Sequence, residues 1–518
     1  MRPTVTSILG LLIGLHRVTA ARLVDFQVTQ PLTLPKDAKQ CTVKILERTF
    51  AFSYGSPEVV QYTPPIASDC GPAGSWAGIS LNFTVTSNGS VKVSSLSVYY
   101  DAKTSLFRTQ YDRLGIFTLD HVEIWRTSTP EPTRGDGIIW TYLKDVSHYS
   151  PLFAKPGTFV LQLDNLIQTG LDGEYATTLH ATFYASSERH PPATHADLIV
   201  PITTLADNSG DVASVPPVFS LGVTLPRNIA SVVAEITPSG NGNEEFWSMN
   251  VPDKYLGDLP NDITFGKGPF REVRLLVDGQ VAGIIFPYLV VFTGGIAPTL
   301  WRPIAAYAAL DLPTYYIDLT PFIPILADGK PHNISLDVLS AESDHSINQN
   351  WYVTANLQVT LDSSSNPTTG KMVLYSVGPY AHASTTGSVR SDGTVDFTVT
   401  ATRDLRIESQ IRTGSGAETH VVWTQSLSYS NAHTYAKNAT VQMLSQSSSG
   451  KFLSTHNGSP ALADTFSFPA AVNFTYFDST LTNWTTSIDH SYNRALQSVP
   501  FIPGTVIQEH QVASRARR

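Results

Sequence analysis

Apolar and polar residues alternate with a period of two along much of the chain. The alternation is clear over 395–402 and again over 405–412, and a period of two is typical of strands that bury one face. No segment of about twelve residues carries a convincing apolar stripe at the helical period. Asp-Gly pairs at 278–279, 328–329 and 392–393 fall between apolar segments, where turns are expected. The pattern predicts an all-β protein.

Two polar stretches divide the chain. Residues 207–217 separate a first block of strands from a second, and residues 362–370 separate the second from a Ser/Thr-rich third. Since short strands between frequent turns favour sandwiches and jelly rolls, we predict two jelly-roll or β-sandwich domains followed by a third β-rich domain. The predicted bounds are a signal peptide over 1–20 and domains over 22–205, 206–362 and 370–518.

The first twenty residues have the pattern of a secretory signal peptide. Arg2 gives a basic start, 8–15 is apolar, and 18–20 offers small residues at the cleavage positions. A second uncharged stretch, 280–301, contains Pro and Gly interruptions that favour buried strands over a membrane helix. We therefore predict a secreted protein, or one sent to a vacuole by the secretory pathway, with no membrane contact after the signal is removed.

Sequons and cysteines suit that route. Cys41 and Cys70, the two cysteines of the chain, are expected to form one disulfide in an oxidising compartment, and a Cys nucleophile is the weaker alternative. Seven Asn-x-Ser/Thr sequons predict a glycosylated surface. The predicted glycosylation sites are Asn82, Asn88, Asn333, Asn438, Asn457, Asn473 and Asn483.

Charge and missing motifs exclude several function classes. The formal net charge is -9 and no basic stripe offsets it, which argues against a nucleic-acid partner. The chain has no Gly-x-Ser-x-Gly elbow, His-Glu-x-x-His motif, phosphate loop or dinucleotide fingerprint. His190 and His195 lack a supporting ligand pattern. We predict neither a metal nor a cofactor.

Three clusters of acidic, basic and aromatic residues interrupt apolar segments. Each has a plain structural alternative, namely a surface ion pair, a solvated hairpin tip and a packed connection. Asp and Glu act as general bases or acids when partly desolvated, Trp stacks on sugar rings, and Arg holds a carboxylate or polarises a carbonyl. Together these groups suit a carbohydrate-processing site. The clusters are 110–132 with Asp112, Arg113, Glu123 and Arg126, 240–247 with Glu244, Glu245 and Trp247, and 292–303 with Trp301 and Arg302.

Eight segments, in the same order along the chain, resemble the peptide N-glycanase A (glycoamidase A) family. They are Asp112–Gly115, Glu123–Pro132, Lys144–Val146, Glu244–Trp247, Phe270–Arg274, Gly294–Gly295, Leu300–Pro303 and Asp489–Arg494. The match covers most of 25–360 and continues more loosely into the third domain. Because all eight segments agree in order, the resemblance is far more specific than any one motif.

The resemblance implies an amidase that hydrolyses the bond between N-acetylglucosamine and an asparagine side chain. Its substrates would be N-glycosylated peptides or proteins, with Asn converted to Asp and the glycan released as a glycosylamine. It also implies a secretory enzyme that works at mildly acidic pH without a metal and is sometimes cleaved into two associated chains.

A more remote resemblance, to the bacterial peptide:N-glycosidase with two jelly-roll domains, places the site. It implies an Asp-Arg pair at Asp112 and Arg113 and an acid at Glu245. A third acid of that enzyme would fall near Asp164 or Asn165, where the sequence of this chain differs from the pattern of that enzyme. We expect Asp112, at the junction of the first two domains, to orient or deprotonate the attacking water. Arg113 would polarise the amide carbonyl or fix the carboxylate, and Glu245 would hold the inner sugar or assist the departing amine.

The other candidates are predicted substrate contacts. Trp247 and Trp301 would flank the sugar, while Glu123 and Arg126 form either contacts or a supporting ion pair. Glu244 and Arg302 would complete the site.

Three rival functions remain open. One is a non-catalytic lectin on the same scaffold, which needs no acid. Another is a glycoside hydrolase that uses Asp112 and Glu245 as a carboxylate pair. The third is an extracellular structural protein, in which the acids and tryptophans would be incidental.

Overall fold

The structure is a computed structural model of the 518-residue chain, and the predicted signal peptide lies outside the residues it describes. These residues are almost entirely β, which confirms the predicted all-β class. No helix among them is long and apolar enough to span a membrane. The helices are single turns: α1 (Ala67–Cys70), α2 (Ser150–Phe153), α3 (Asp253–Leu256) and α4 (Ile323–Leu326), with 3₁₀ turns at Ser147–Tyr149, Gly242–Glu244, Trp247–Met249 and Thr320–Phe322. The described residues are 23–26, 34–88, 110–132, 137–297, 300–477, 483–497 and 504–517.

The first nine strands form a sandwich of two sheets. One sheet has the order β1-β7-β4-β9-β2 and the other β3-β8-β5-β6. Apart from β1, the strands make the two four-stranded sheets of a jelly roll. The strands are β1 (Val24–Asp25), β2 (Gln40–Phe50), β3 (Glu58–Tyr62), β4 (Gly78–Ser87), β5 (Leu114–Leu119), β6 (Val122–Ser128), β7 (Ile138–Asp145), β8 (Gly157–Leu163) and β9 (Tyr175–Tyr184).

The next nine strands repeat this architecture. Their sheets have the orders β10-β18-β13-β16, with β11 also paired to β18, and β12-β17-β14-β15. Strand β10 lies within the predicted first domain, 22–205, yet it pairs with β18 of this second sandwich. The strands are β10 (Leu198–Ile202), β11 (Ala213–Val215), β12 (Phe219–Val223), β13 (Ile229–Asn241), β14 (Glu272–Val277), β15 (Gln280–Ile285), β16 (Tyr315–Asp318), β17 (His332–Leu339) and β18 (Asn350–Leu361).

The last eight strands form one sheet. Its order is β19-β21-β22-β23-β24-β25-β26, with β20 also paired to β21. The alternation predicted over 395–402 and 405–412 belongs to a single strand, β21, whose every second residue is buried. The strands are β19 (Thr369–Val377), β20 (His382–Val389), β21 (Val395–Arg412), β22 (Glu418–Ala436), β23 (Val441–His456), β24 (Ser459–Tyr476), β25 (Trp484–Gln497) and β26 (Thr505–Arg517).

The buried face of this large sheet covers β15, the edge strand of the second sandwich. Trp423 donates its indole N–H to the Ala282 carbonyl at 3.0 Å. The Gln425 amide accepts from the Ile284 N–H and donates to the Ile284 carbonyl, both at 2.8 Å. An edge strand presents unpaired backbone groups, and here side chains satisfy them. The second sandwich and the large sheet therefore share one hydrophobic core.

The predicted Asp-Gly turns fall where the chain reverses. Asp278 and Gly279 both have positive φ, 47° and 79°, between β14 and β15. Two positive φ values define the type I′ hairpin turn, which favours Asp or Asn followed by Gly. Gly329 and Gly393 also have positive φ, before β17 and before β21. These turns are set by local sequence.

Buried polar groups join the two sandwiches. Glu235 of β13 accepts hydrogen bonds from Tyr149 of the first sandwich at 2.7 Å and from Tyr316 at 2.9 Å. Burial opposes its ionisation, but His148 and the hydrogen bonds from Tyr149 and Asn356 outweigh burial and lower its pKa to about 2. Because a buried carboxylate is tolerated only with such partners, this network fixes how the sandwiches meet.

Candidate active site

A cleft of about 430 Å³ opens between the two sandwiches. The first sandwich contributes the residues at the start of β5 and the end of β8, and the second contributes the end of β13 and the loop after β15. Asp112, Arg113 and Glu245, which come from separate clusters in the sequence, all line this one cleft. Its lining includes Tyr54, Asp112, Arg113, Gln162, Asp164, Asn241, Glu245, Phe292 and Tyr352.

Asp112 is held from the opposite sandwich. It lies two residues before the start of β5, and one carboxylate oxygen accepts the backbone N–H of Gly294 at 2.9 Å. The Thr293 hydroxyl beside it donates to the Thr129 carbonyl at 2.6 Å, and the Thr129 N–H donates to the Arg113 carbonyl. The loop after β15 is thereby attached to the strand ends that carry Asp112, which orients the carboxylate toward the cleft.

Arg113 lies beside Asp112 with neutral partners. Within the part of the chain that the structure describes, its guanidinium donates to Gln110 at 2.8 Å, to Asn165 at 3.3 Å and to the Tyr54 hydroxyl at 3.3 Å. None of these groups carries a charge that would neutralise it. A fixed cation at a cleft wall is suited to stabilising negative charge on a substrate oxygen.

Glu245 lies at the end of a tight turn that closes β13. Gly240 permits the turn, because a Cβ there would lie 2.2 Å from the Glu244 carbonyl oxygen, and Gly242 has a φ of +57°. Burial, together with the negative charges of Asp112 and Glu131, raises the pKa of Glu245 to about 8. Below that pH the side chain is a neutral carboxylic acid that can donate a proton.

Asp164 and Asn165 lie where a third acid was expected, and their side chains have different environments. Asp164 lines the cleft and accepts from the Gly55 N–H at 3.2 Å and from Gln162 at 2.9 Å. Asn165 is buried, donates to the carbonyls of Phe50 and Gly173, and accepts from Arg113. The neutral residue therefore orients the arginine, while the acid faces the cleft.

Two family models match this chain. The one for peptide N-acetyl-β-D-glucosaminyl asparaginase amidase A matches residues 31–377, and the C-terminal domain of the same group matches residues 396–470. The chain belongs to this amidase A family. Over 440 residues it is 34% identical to peptide-N4-(N-acetyl-beta-glucosaminyl)asparagine amidase A of Prunus dulcis, and the alignment covers 82% of this chain and 71% of that protein. The predicted family is confirmed.

Two solved structures resemble the chain distantly. PNGase F, a glycosylasparaginase from Flavobacterium meningosepticum, has 13% identity and a TM-score of 0.39, covering 62% of this chain and 96% of that one. PNGF-II has 11% identity and a TM-score of 0.40, covering 63% and 66%. Because both TM-scores are low, the assignment to the amidase A family rests on sequence.

Glu244 of this amidase A family member is an anchor beneath the cleft rather than the substrate contact predicted from sequence. Its side chain is fully buried, and its oxygens accept from Arg271 at 2.5 and 2.7 Å and from the Trp351 indole at 2.8 Å. A buried carboxylate so completely paired has no remaining face for a ligand. It holds the turn from which Glu245 projects.

Glu123 and Arg126, predicted to be either substrate contacts or a supporting ion pair, form an ion pair. Their exposed fractions are 3% and 1%, and two hydrogen bonds of 2.7 and 2.6 Å join them. Arg126 also donates to Ser239 and to the Tyr352 carbonyl, while Thr354 donates to Glu123. The pair connects the sandwiches and does not line the cleft, so we assign it no contact with substrate.

The two tryptophans predicted to flank a sugar lie in hydrophobic cores. Trp247 and Trp301 are each 3% exposed. Trp247 packs near Trp351, and Trp301 meets His490 of the large sheet edge to face. The aromatic residues at the cleft are instead Tyr54 and Tyr352, with Phe292. The two tyrosines were not predicted, because an isolated Tyr carries no signal for which face of a strand or loop it occupies.

Glu131 is a further functional candidate, which lies in the 110–132 cluster but was not predicted as a site residue. It follows β6 and is 1% exposed. Arg302, predicted as a substrate contact, lies behind it, with one guanidinium nitrogen 3.1 Å from the Glu131 carbonyl and 3.6 Å from its carboxylate. Both acids of the Gly294 neighbourhood, Asp112 and Glu131, are therefore in reach of the same loop. The local sequence Pro-Glu-Pro does not indicate that the Glu131 side chain is buried.

Gly294 can be replaced to test this packing. A Cβ at Gly294 would lie 2.6 Å from Glu131 Oε1 and 3.2 Å from Asp112 Oδ1. We expect Gly294→Ala to displace both carboxylates and to lower kcat/KM about 10- to 100-fold, because small misplacements at a site are costly. Gly257→Ala is the matched control, since its φ is −70° and a Cβ there meets nothing within 4 Å. Equal activity of the two variants would contradict the assignment.

Proposed function

We propose that this protein hydrolyses the amide that joins N-acetylglucosamine to the asparagine side chain of N-glycopeptides or glycoproteins. The observation that carries the proposal is the pairing of Asp112 with the neutral acid Glu245 in one cleft, in a chain of the amidase A family. A base and an acid in one site are what amide hydrolysis requires. No observation favours a lectin, a glycoside hydrolase or a structural protein.

In the proposed reaction Asp112 accepts a proton from water as the oxygen attacks the amide carbon. The carbonyl electrons move onto oxygen, and Arg113 stabilises that negative charge. As the carbon–nitrogen bond breaks, Glu245 donates its proton to the departing nitrogen. The new carboxyl group returns a proton to Glu245 and Asp112 releases its proton to water, so the products are an aspartate side chain and the glycan as a glycosylamine. Of the alternatives given by the sequence, this reaction uses Arg113 to polarise the carbonyl rather than to fix the carboxylate, and Glu245 to assist the departing nitrogen rather than to hold the inner sugar.

Sugar binding is proposed for the tyrosines at the cleft. Tyr54 is 61% exposed and touches Arg113 through its hydroxyl, and Tyr352 lines the same cleft. An aromatic ring offers an apolar face to a sugar ring, while its hydroxyl binds a polar group. Asp164 between these elements would accept hydrogen bonds from sugar hydroxyls.

The deciding experiment treats a defined N-glycopeptide with purified protein and measures the product masses. The proposed function predicts a deglycosylated peptide in which Asn has become Asp. A retained N-acetylglucosamine would show a glycoside hydrolase instead. An unchanged glycopeptide would reject both activities, and a binding assay on it would then separate a lectin from a structural protein.

We further propose that the protein follows the secretory route. The Cys41–Cys70 disulfide is present, and six sequon asparagines are exposed, whereas Asn82 is half-buried and accepts from Thr84 at 3.1 Å. Secretory expression should give a chain that begins after residue 20 and carries glycans. A two-chain form would appear as two bands on a reducing gel. Retention of residues 1–20 on the mature chain would contradict the proposed signal.

A further inference from the structure

Glu131 is a buried acid that the proposed reaction does not use. Its side chain is 1% exposed and lies outside the residues that line the cleft. It nevertheless shares the space over Gly294 with Asp112. Removing a carboxylate from water is costly, and such a group persists only where its surroundings support it. The burial of Glu131 therefore indicates that this residue has a specific role.

We propose that Glu131 is a positioning residue of the hydrolysis, which fixes the Gly294 loop behind Asp112 and places a second negative charge near Glu245. The inference rests on the proposed function, since it concerns the same cleft. Glu131 would not touch substrate. It would act through its two neighbours, Asp112 and Glu245.

The geometric support comes from contacts between the segment after β6 and the loop after β15. Arg302 of the loop donates to the Glu131 carbonyl at 3.1 Å and lies 3.6 Å from its carboxylate. Thr293 donates to Thr129, two residues before Glu131. Gly294, the residue after Thr293, donates its backbone N–H to Asp112. Glu131 is therefore part of the support that determines where the Asp112 carboxylate points.

The electrostatic support comes from the charges that surround Glu245. Asp112 and Glu131 are the two carboxylates that oppose its ionisation, in addition to burial. Arg302 is behind Glu131, and Arg113 and Asp164 belong to the wall of the first sandwich. A nearby like charge favours the neutral form of an acid. Removing the charge of Glu131 should let Glu245 lose its proton at lower pH.

The test is the pH profile of kcat/KM for Asn-to-Asp conversion, measured for the wild type and for Glu131→Gln. We expect the alkaline limb of Glu131→Gln to move down by about one pH unit, because that limb reports the essential acid of the free enzyme. Glu272→Gln is the matched control. Glu272 is also 1% exposed and has an arginine, Arg403, at 3.5 Å, but unlike Glu131 it is neither beside Gly294 nor among the charges that raise the pKa of Glu245.

The outcomes are distinguishable. An inactive wild type would reject the proposed function itself, whereas an active wild type with the same alkaline limb in Glu131→Gln would overturn only this inference. An equal shift of the alkaline limb in the control variant Glu272→Gln would also overturn this inference. If thermal unfolding shows that Glu131→Gln does not fold, the Glu131→Asp variant is used to test the inference. It should keep the wild-type limb while losing rate several-fold, and wild-type rate in that variant would overturn the positioning role.

Discussion

Asp112→Asn is expected to lower the rate of glycopeptide hydrolysis by about 10²- to 10⁴-fold, the range for loss of a general base. The amide keeps the size of the carboxylate, and its oxygen can still accept the Gly294 N–H, which Asp112 now accepts at 2.9 Å. What is lost is the ability to take a proton from water. Product masses under saturating substrate would measure the loss in kcat.

The control for Asp112→Asn is Asp337→Asn. Asp337 is partly buried and binds Arg274 at 2.9 and 2.5 Å, but it does not line the cleft. It should keep the wild-type rate even if its melting temperature falls. Wild-type turnover by folded Asp112→Asn would remove Asp112 from the catalytic role.

Glu245→Gln is expected to have a comparably large effect, with a distinct pH signature. Since Glu245 must be protonated to donate, kcat/KM should be constant on this limb below a pKa of about 8 and should fall above it, about tenfold per pH unit. Gln has the shape of the neutral acid but no proton to give. We expect a loss of about 10²- to 10⁴-fold and disappearance of the alkaline limb from the residual activity.

A matched control for Glu245→Gln is Glu342→Gln. Burial also raises the pKa of Glu342, but its carboxylate accepts from the Asp253 N–H and lies outside the cleft. Its variant should keep both the rate and the alkaline limb. If Glu245→Gln retained the limb, another group would be the proton donor, because a glutamine cannot titrate there.

Much of the fold was predictable because it depends on local patterns. The alternation in 395–412 identified β21 since burial on one face of a strand has a period of two. Asp278 and Gly279 marked the turn after β14 because few other residues accept positive φ. The extent of the large sheet's contact with β15 was not predictable, since the pattern shows that a face is buried but not what covers it.

The candidate site was predictable only in part. Asp112 and Glu245 were chosen through resemblance, and the structure places both in one cleft. Trp247 and Trp301 were chosen because tryptophan suits sugars, yet the same large apolar area suits a core. Their burial depends on neighbours that are distant in sequence, such as His490 for Trp301.

The sequence by itself determined the β class and the turns, because these depend on short-range patterning, whereas Asp112 and Glu245 were candidates only through resemblance. Tertiary structure decided which groups face the cleft. Glu244 and Glu245 are adjacent in the chain, yet one is fully paired beneath the cleft and the other is a neutral acid within it. Burial and neighbouring charge set that difference, and both arise only when the two sandwiches meet.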